Sequence, residues 1–234
     1  MNNVVLWRFH GMVFTAPLLL SFGVSACLVI VALVLRYRIA HRPGGLPVAG
    51  EAVYELMHDA VGEVVGPAHA ERVLPFVGTL WLFILLANLL GLVPGLTSPT
   101  RDLSVTSALA VIVFAAVHVF GVRAAGWKAY LRHYLLPNPV MLPFHLISEI
   151  TRTIALAIRL FGNMMSLEMA AMLVLLVAGL LVPVPLLLLH VVEALVQAYI
   201  FGMLALIYIG SALEVGQQDL PPQTQTLPTP EEHA

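Results

Sequence analysis

Charged residues are scarce in this sequence, and cysteine is almost absent. Lys, Arg, Asp and Glu together make up 10% of the 234 residues, whereas soluble domains carry roughly 25%. The one cysteine, Cys27, lies in an apolar run, which excludes a disulfide framework and a cysteine-based metal site. The shortage of charge excludes an ordinary soluble domain.

The sequence consists mainly of long apolar runs. Hydrophobic residues make up 60% of the chain, and its mean hydropathy is +0.94. Because a helix needs about 20 apolar residues to cross the hydrocarbon core, we predict an all-α membrane protein with about five membrane helices in one integral membrane domain, residues 1–215. The expected spans cover residues 14–35, 73–94, 103–122, 146–181 and 186–213. The polar, proline-rich tail, residues 216–234, is expected to be disordered.

The last two runs are unusually long. Residues 146–181 contain no proline, and such a helix would be about 54 Å long at 1.5 Å per residue. The hydrocarbon core is only about 30 Å thick. Pro183 and Pro185 then break the helix. The sequence therefore predicts a steeply tilted hairpin of two long helices.

Basic residues follow the first and third spans. These residues are Arg36, Arg38, Arg42, Arg123, Lys128 and Arg132. The positive-inside rule places both clusters in the cytoplasm. We therefore expect a multi-pass protein of the bacterial plasma (inner) membrane with its N-terminus outside, and we expect its C-terminus outside as well.

Between the first two spans, residues 51–65 have apolar residues at helical spacing and an acidic residue every fourth position. The acidic stripe consists of Glu51, Glu55, Asp59 and Glu63. This pattern predicts an amphipathic helix on the cytoplasmic surface. The stripe is either a solvated face or a docking face for a partner subunit, because an anionic lipid leaflet would repel it.

Arg159 is the most unusual residue, because it lies well inside an apolar run. Ionisable residues inside a membrane are costly and are functional candidates. Glu168 is nine residues further on, half a turn away in azimuth, so the two do not pair within the helix. Arg159 is thus free to meet a charge on another chain. Asn163, one turn after Arg159, is positioned to hold the guanidinium or a water.

The last span carries a polar stripe. His190, Glu193 and Gln197 lie at positions i, i+3 and i+7 of one helix face. A titratable imidazole and a carboxylate suit a hydrated proton path; polar contacts between helices are the alternative. His190 and Glu193 offer two metal ligands and no third is evident, so we predict no metal site.

Four further polar residues rank lower as ion-path candidates. Glu149 is placed to line an aqueous entrance, and Asn88 is either channel lining or a contact between helices. Arg152 lies on the same face as Arg159 but nearer the helix start, where snorkelling to the interface is the alternative. Asp102 stands at the boundary of a span, where charge costs little.

Two segments resemble subunit a of the membrane (Fo) sector of F-type ATP synthase. One is LISEITRTIALAIRLFGNMMSLEM, in which the run RLFGN covers Arg159 to Asn163, and the other is HVVEALVQAYIFGMLALIYI, which contains Gln197. LLANLLGLVPG and PTRDLSVTSALA also look like this family. The likeness covers residues 73–213. Thr153, Ala155 and Gly91 depart from patterns common in the family, which leaves the lining of the ion path open.

The resemblance implies a non-catalytic, ion-translocating stator with two half-channels. It implies that the arginine of the run RLFGN, here Arg159, faces a carboxylate on a rotating ring of c subunits and helps to couple proton or sodium flow to rotation. Glu168, His190 and Glu193 are then candidates for one half-channel, and Gln197 and Asn163 for positions near Arg159. The implied partners are the c ring, the b subunits of the peripheral stalk, the rest of the ATP synthase and the lipid bilayer; no cofactor and no nucleic acid are expected.

Two other classes of protein are compatible with charges at mid-membrane. A secondary ion transporter or channel is the main alternative, but transporters usually show internal repeats, and no fixed-period repeat is evident here. An intramembrane enzyme would need a nucleophile or a metal-binding set such as HExxH, which the sequence lacks. The stator function therefore remains the preferred hypothesis.

Overall fold

Long helices make up most of the protein. The structure, a computed structural model, describes residues 5–9, 12–41, 45–93, 98–128, 130, 142–178 and 183–218. Its long helices are α1 (Ala16–His41), α2 (Gly45–Val65), α3 (Pro67–Leu89), α4 (Leu103–Ala125), α5 (Leu142–Ala178) and α6 (Pro183–Gln218). Two short 3-10 helices, Leu90–Leu92 and Pro99–Arg101, lie between α3 and α4.

Five of these helices are long and apolar enough to cross a membrane. Their apolar stretches are Pro17–Val34, Pro67–Leu92, Leu103–Ala125, Pro143–Val174 and Pro185–Glu214. The prediction of an all-α membrane protein with about five membrane helices is confirmed. A small addition precedes them: β1 (Val5–Phe9) pairs with β2 (Met12–Thr15) in an antiparallel hairpin. The chain is therefore still in a strand at residue 14, where the first span was expected to begin.

The buried core lies where α6 crosses α3 and α4. α6 packs mainly on these two helices, and α5 packs on α4 and α6. Val77 and Ile84 of α3 and Leu206 of α6 are fully buried. By contrast, α1 lies at the rim, since only 6% of its apolar stretch is buried, against 50% for α3. The core thus fixes α3, α4 and α6 relative to one another and leaves α5 with a long outer face.

α2 contains the predicted amphipathic segment and packs against α3 and α6. Val61 is fully buried, whereas all four residues of the acidic stripe are exposed. Gly66 joins α2 to α3 with φ 77°, a left-handed conformation that glycine adopts without steric cost. The position of α2 on the cytoplasmic surface stays a prediction.

α5 and α6 are 37 and 36 residues long, which corresponds to about 56 Å and 54 Å of helix. Each exceeds the hydrocarbon thickness of about 30 Å. The tilt of the hairpin stays a prediction. α6 continues through Gln218, so the first three residues of the expected tail are helical, and residues 219–234 lie outside the described residues.

Five crossings are an odd number, which bears on the orientation of the chain. If each of the five helices crosses once, the start of α1 and the end of α6 lie on opposite sides of the membrane. An N-terminus outside then requires the end of α6 to lie in the cytoplasm. The expectation that both termini lie outside is therefore incompatible with five crossings of these described helices, and the orientation of the chain stays a prediction.

Candidate functional site

Arg159 lies on the outer face of α5. Its side chain is exposed, and the neighbouring Ile154 and Ile158 are 51% and 57% exposed. Among the residues whose side chains the structure describes, none forms a hydrogen bond or an ion pair with Arg159. The chain therefore presents a cation on an apolar outer surface, where a group from outside the chain can reach it.

Arg152 lies on the same stripe of α5 but has partners within the chain. Its Nη1 is 3.4 Å from Oε1 of Glu149, one turn earlier. Its guanidinium carbon is 4.6 Å from the centroid of the Tyr208 ring on α6, within the range of a cation–π contact. The structure thus distinguishes two arginines that the sequence placed on one face. Glu149, predicted to line an aqueous entrance, forms an ion pair with Arg152.

Asn163 and Gln197 join α5 to α6 one turn beyond Arg159. Asn163 Nδ2 donates a hydrogen bond to Gln197 Oε1 over 2.7 Å. Gln197 is only 1% exposed, and its Nε2 has no hydrogen-bond partner among the described residues. A buried amide with a spare donor is costly unless a water or another group satisfies it. The pair therefore leaves the NH2 group of Gln197 available inside the chain, next to the helix that carries Arg159.

His190 faces the end of α3. The imidazole is 6% exposed, and its Nε2 lies 3.3 Å from the backbone carbonyl oxygen of Asn88. A Cβ at Gly91 would lie 3.4 Å from the same Nε2 and 3.2 Å from the Cβ of Ser98, so position 91 packs closely against both residues. Glu193, one turn further along α6, is half-buried.

Asn88 is part of a buried polar cluster at the end of α3. The Thr100 hydroxyl donates to Asn88 Oδ1 over 2.6 Å, and the Ser98 hydroxyl donates to the carbonyl oxygen of Ala87 over 2.9 Å. The two hydroxyl oxygens are 2.6 Å apart. Asn88 Nδ2 is buried and has no partner in the described part of the chain. Ser98 and Thr100 were not predicted, because hydroxyl side chains are common near span ends and their partners lie on another element.

Two candidates remain, Asp102 and Glu168. Asp102 caps the N-terminus of α4, where its carboxylate accepts a hydrogen bond from the Ser104 backbone over 2.9 Å and another from the Ser104 hydroxyl. Such capping stabilises a helix start. Glu168 belongs to α5, but its side chain lies outside the described part of the structure.

The polar groups thus follow one stripe of α6. His190 meets the buried cluster at the end of α3, and Gln197 meets Asn163 on α5. The two contacts are separated by seven residues, or about 10.5 Å along the helix, with Glu193 between them. An imidazole and a carboxylate can exchange protons, and amides can bind water. Among the described residues, no group of three side chains has metal-binding geometry.

Comparison with known proteins places this chain in a family. The sequence model of the family described as ATP synthase A chain matches residues 18–210. This chain belongs to that family. The match includes α5 and the polar stripe of α6, so the resemblance of the segments around Arg159 and Gln197 is confirmed at the level of the family.

Family members with high sequence identity come from several bacteria. The chain is 52% identical over 205 residues to ATP synthase subunit a of Legionella pneumophila strain Philadelphia 1, which covers 87% of this chain and 89% of that protein. It is 59% identical over 194 residues to ATP synthase subunit a 2 of Pelobacter propionicus (83% and 85%). It is 58% identical over 187 residues to ATP synthase subunit a 1 of Hahella chejuensis (80% and 79%). The similarity to this family therefore extends over most of the chain.

Proposed function

We propose that this chain is the ion-conducting stator subunit of an ATP synthase in a bacterial inner membrane. Membership of the ATP synthase A chain family supports a role in ion transport coupled to ATP synthesis. The observation that carries the more specific proposal is the exposed guanidinium of Arg159. It stands among exposed isoleucines on α5 without a partner in the described part of the chain.

The proposed partner of Arg159 is a carboxylate on a ring of c subunits that turns against α5. An ionised carboxylate is costly in lipid, whereas it is stabilised next to a fixed cation. Each carboxylate would therefore stay ionised only while it passes Arg159 and would have to bind an ion before it enters lipid. This difference makes rotation depend on ion binding on one side of Arg159 and ion release on the other.

Ion access requires two half-channels that do not meet. The stripe of α6 supplies polar groups for one of them, with His190 and Glu193 as its candidates together with Glu168 of α5. Asn163 lies one turn from Arg159 on α5 and is hydrogen-bonded to Gln197 of α6, and we assign both residues to the positioning of water next to the rotor carboxylate. The positive charge of Arg159 would repel an ion that tried to pass directly from one half-channel to the other.

The chain itself is proposed to be non-catalytic within the complex. The c ring would cover the outer face of α5, and the b subunits of the peripheral stalk would hold the chain against rotation. Each elementary charge that crosses 100 mV supplies about 2.3 kcal/mol. Several charges must therefore cross for each ATP, which fits a ring with many carboxylates.

The decisive experiment compares native protein with Arg159→Ala in vesicles that contain the whole complex. We expect ATP-driven ion pumping to fall to background, because the unloaded carboxylate loses its stabilising cation, while the c ring still co-purifies with this chain. Arg123→Ala is the matched control, since Arg123 is an exposed arginine in the last turn of α4. It should keep the native pumping rate. Native-rate pumping by Arg159→Ala would refute the proposed function.

A further inference from the structure

Arg152 lies on the same face of α5 as Arg159, so a rotor carboxylate must distinguish between two arginines. Arg152 and Arg159 are seven residues apart, which is about 20° in azimuth and about 10.5 Å along the helix. Both therefore point toward the same side of α5. A rotor carboxylate that arrives from lipid is attracted strongly to any free cation, because charges are poorly screened there. If both arginines were unpaired, the carboxylate could bind at either of two positions on α5.

The contacts of Arg152 remove this ambiguity. Glu149 pairs with its guanidinium over 3.4 Å, and the Glu149 side chain is only 19% exposed. The glutamate precedes the arginine by three residues, the order that also favours the helix dipole. The ring of Tyr208 covers the guanidinium at 4.6 Å from the opposite helix, α6. Arg152 therefore has both a neutralising carboxylate and a ring that holds it in place.

We infer that Glu149 and Tyr208 are positioning residues that retain Arg152 on this chain, so that the rotor carboxylate stops at Arg159 alone. The inference rests on the proposed function, because it assumes a carboxylate that moves past α5. In this arrangement Arg152 contributes nothing to the ion path. Its release from Glu149 or Tyr208 would create a second resting place for the carboxylate and slow each step of the rotor.

The test uses the whole complex in vesicles and measures both pumping rate and ions moved per ATP. Glu149→Gln removes the neutralising charge at constant size, and Tyr208→Leu removes the ring. Each should slow ATP-driven pumping several-fold without changing the number of ions moved per ATP, because the carboxylate is delayed but does not leak. Tyr208→Phe is the matched control and should pump at the native rate, since it keeps the ring face.

Rescue separates this role from a merely structural one. Glu149→Gln combined with Arg152→Gln should restore the rate, because no second cation remains to trap the carboxylate, and Tyr208→Leu combined with Arg152→Gln should do the same. A double variant as slow as its single parent, or native-rate pumping by both single variants, would overturn the inference. These outcomes are independent of Arg159→Ala, whose native-rate pumping would refute the stator function instead.

Discussion

At the scale of single residues, Asn163 connects the exposed part of the site to its buried part. It lies one turn after Arg159 on α5 and donates its amide hydrogen to Gln197 on α6. Gln197 is nearly inaccessible. An interhelical hydrogen bond in a membrane is worth only about 0.6 kcal/mol on average. The main effect of this bond is therefore to orient the Gln197 amide, because it fixes the direction of the unpaired Nε2 group.

The Asn163–Gln197 pair can be tested by a double-mutant cycle. Gln197→Leu and Asn163→Leu should each slow coupled pumping several-fold, because each leaves the other amide without its partner, at a cost of about 1–3 kcal/mol where that amide is buried. The double variant should lose little more than the worse single variant, because the two amides act as a unit. The readouts are ATP-driven ion uptake and the thermal stability of the complex. Fully additive losses would show that the two residues act separately.

The sequence predicted site residues that stand out within their own segment. It missed residues whose importance depends on a contact with another helix. Arg159 and His190 are visible as polar interruptions of apolar runs. Thr100 is fully buried, but a threonine near a span end gives no signal until Asn88, twelve residues away, is seen to accept its hydrogen bond. Likewise, the sequence placed Arg152 on the stripe of Arg159, whereas Tyr208, which covers it, comes from another helix.

At the scale of elements, α3 and α6 are joined by an unusually close contact. The indole of Trp81 lies against Gly202, and its Nε1 donates to the carbonyl oxygen of Tyr199 over 3.3 Å. The Trp81 and Tyr199 rings are nearly parallel, with an interplanar angle of 10°. A Cβ at Gly202 would overlap the indole. This contact could not be predicted from the sequence, because periodicity gives the buried face of a helix but not the partner of each residue.

A side chain at position 202 should therefore force α3 and α6 apart. Gly202→Val is expected to lower the free energy of unfolding by about 1–3 kcal/mol or more, as overpacking of a tight core does. Thermal unfolding of the purified complex measures the effect. Gly62→Ala in α2 is the matched control, since a Cβ there would meet nothing within 4 Å. Combining Gly202→Val with Trp81→Leu should recover part of the loss, and no recovery would contradict the proposed overlap.

At the scale of the whole molecule, the chain consists of an inner bundle with apolar outer faces. Leu176 and Val177 of α5 are 83% and 85% exposed, and Phe22 of α1 is 64% exposed. In water such surfaces would favour association, whereas lipid or membrane partners cover them at no such cost. The sequence predicted this character from composition alone. Which face meets lipid and which meets another subunit depends on other chains and is not encoded in the periodicity of this one.

Orientation is the property of the whole molecule that is most directly tested. The basic clusters after the first and third spans, with five crossings, predict that the α3–α4 connection lies outside and that α2 and the end of α6 lie in the cytoplasm. Cys27, the only cysteine, is first replaced by serine. Single cysteines are then introduced by Leu103→Cys, Glu55→Cys and Glu214→Cys, at three positions that are exposed in the structure.

A membrane-impermeant thiol reagent should label Leu103→Cys in intact cells, and Glu55→Cys and Glu214→Cys only in inverted membrane vesicles. The physical reason is that lysine and arginine remain on the cytoplasmic side during insertion, so the cluster after α1 fixes the direction of every later crossing. Labelling of Glu214→Cys in intact cells would mean that one of the five apolar helices does not cross. In that case one helix of the α5–α6 pair, and not both, would be the first candidate, because helices much longer than the hydrocarbon core must tilt or kink to cross it.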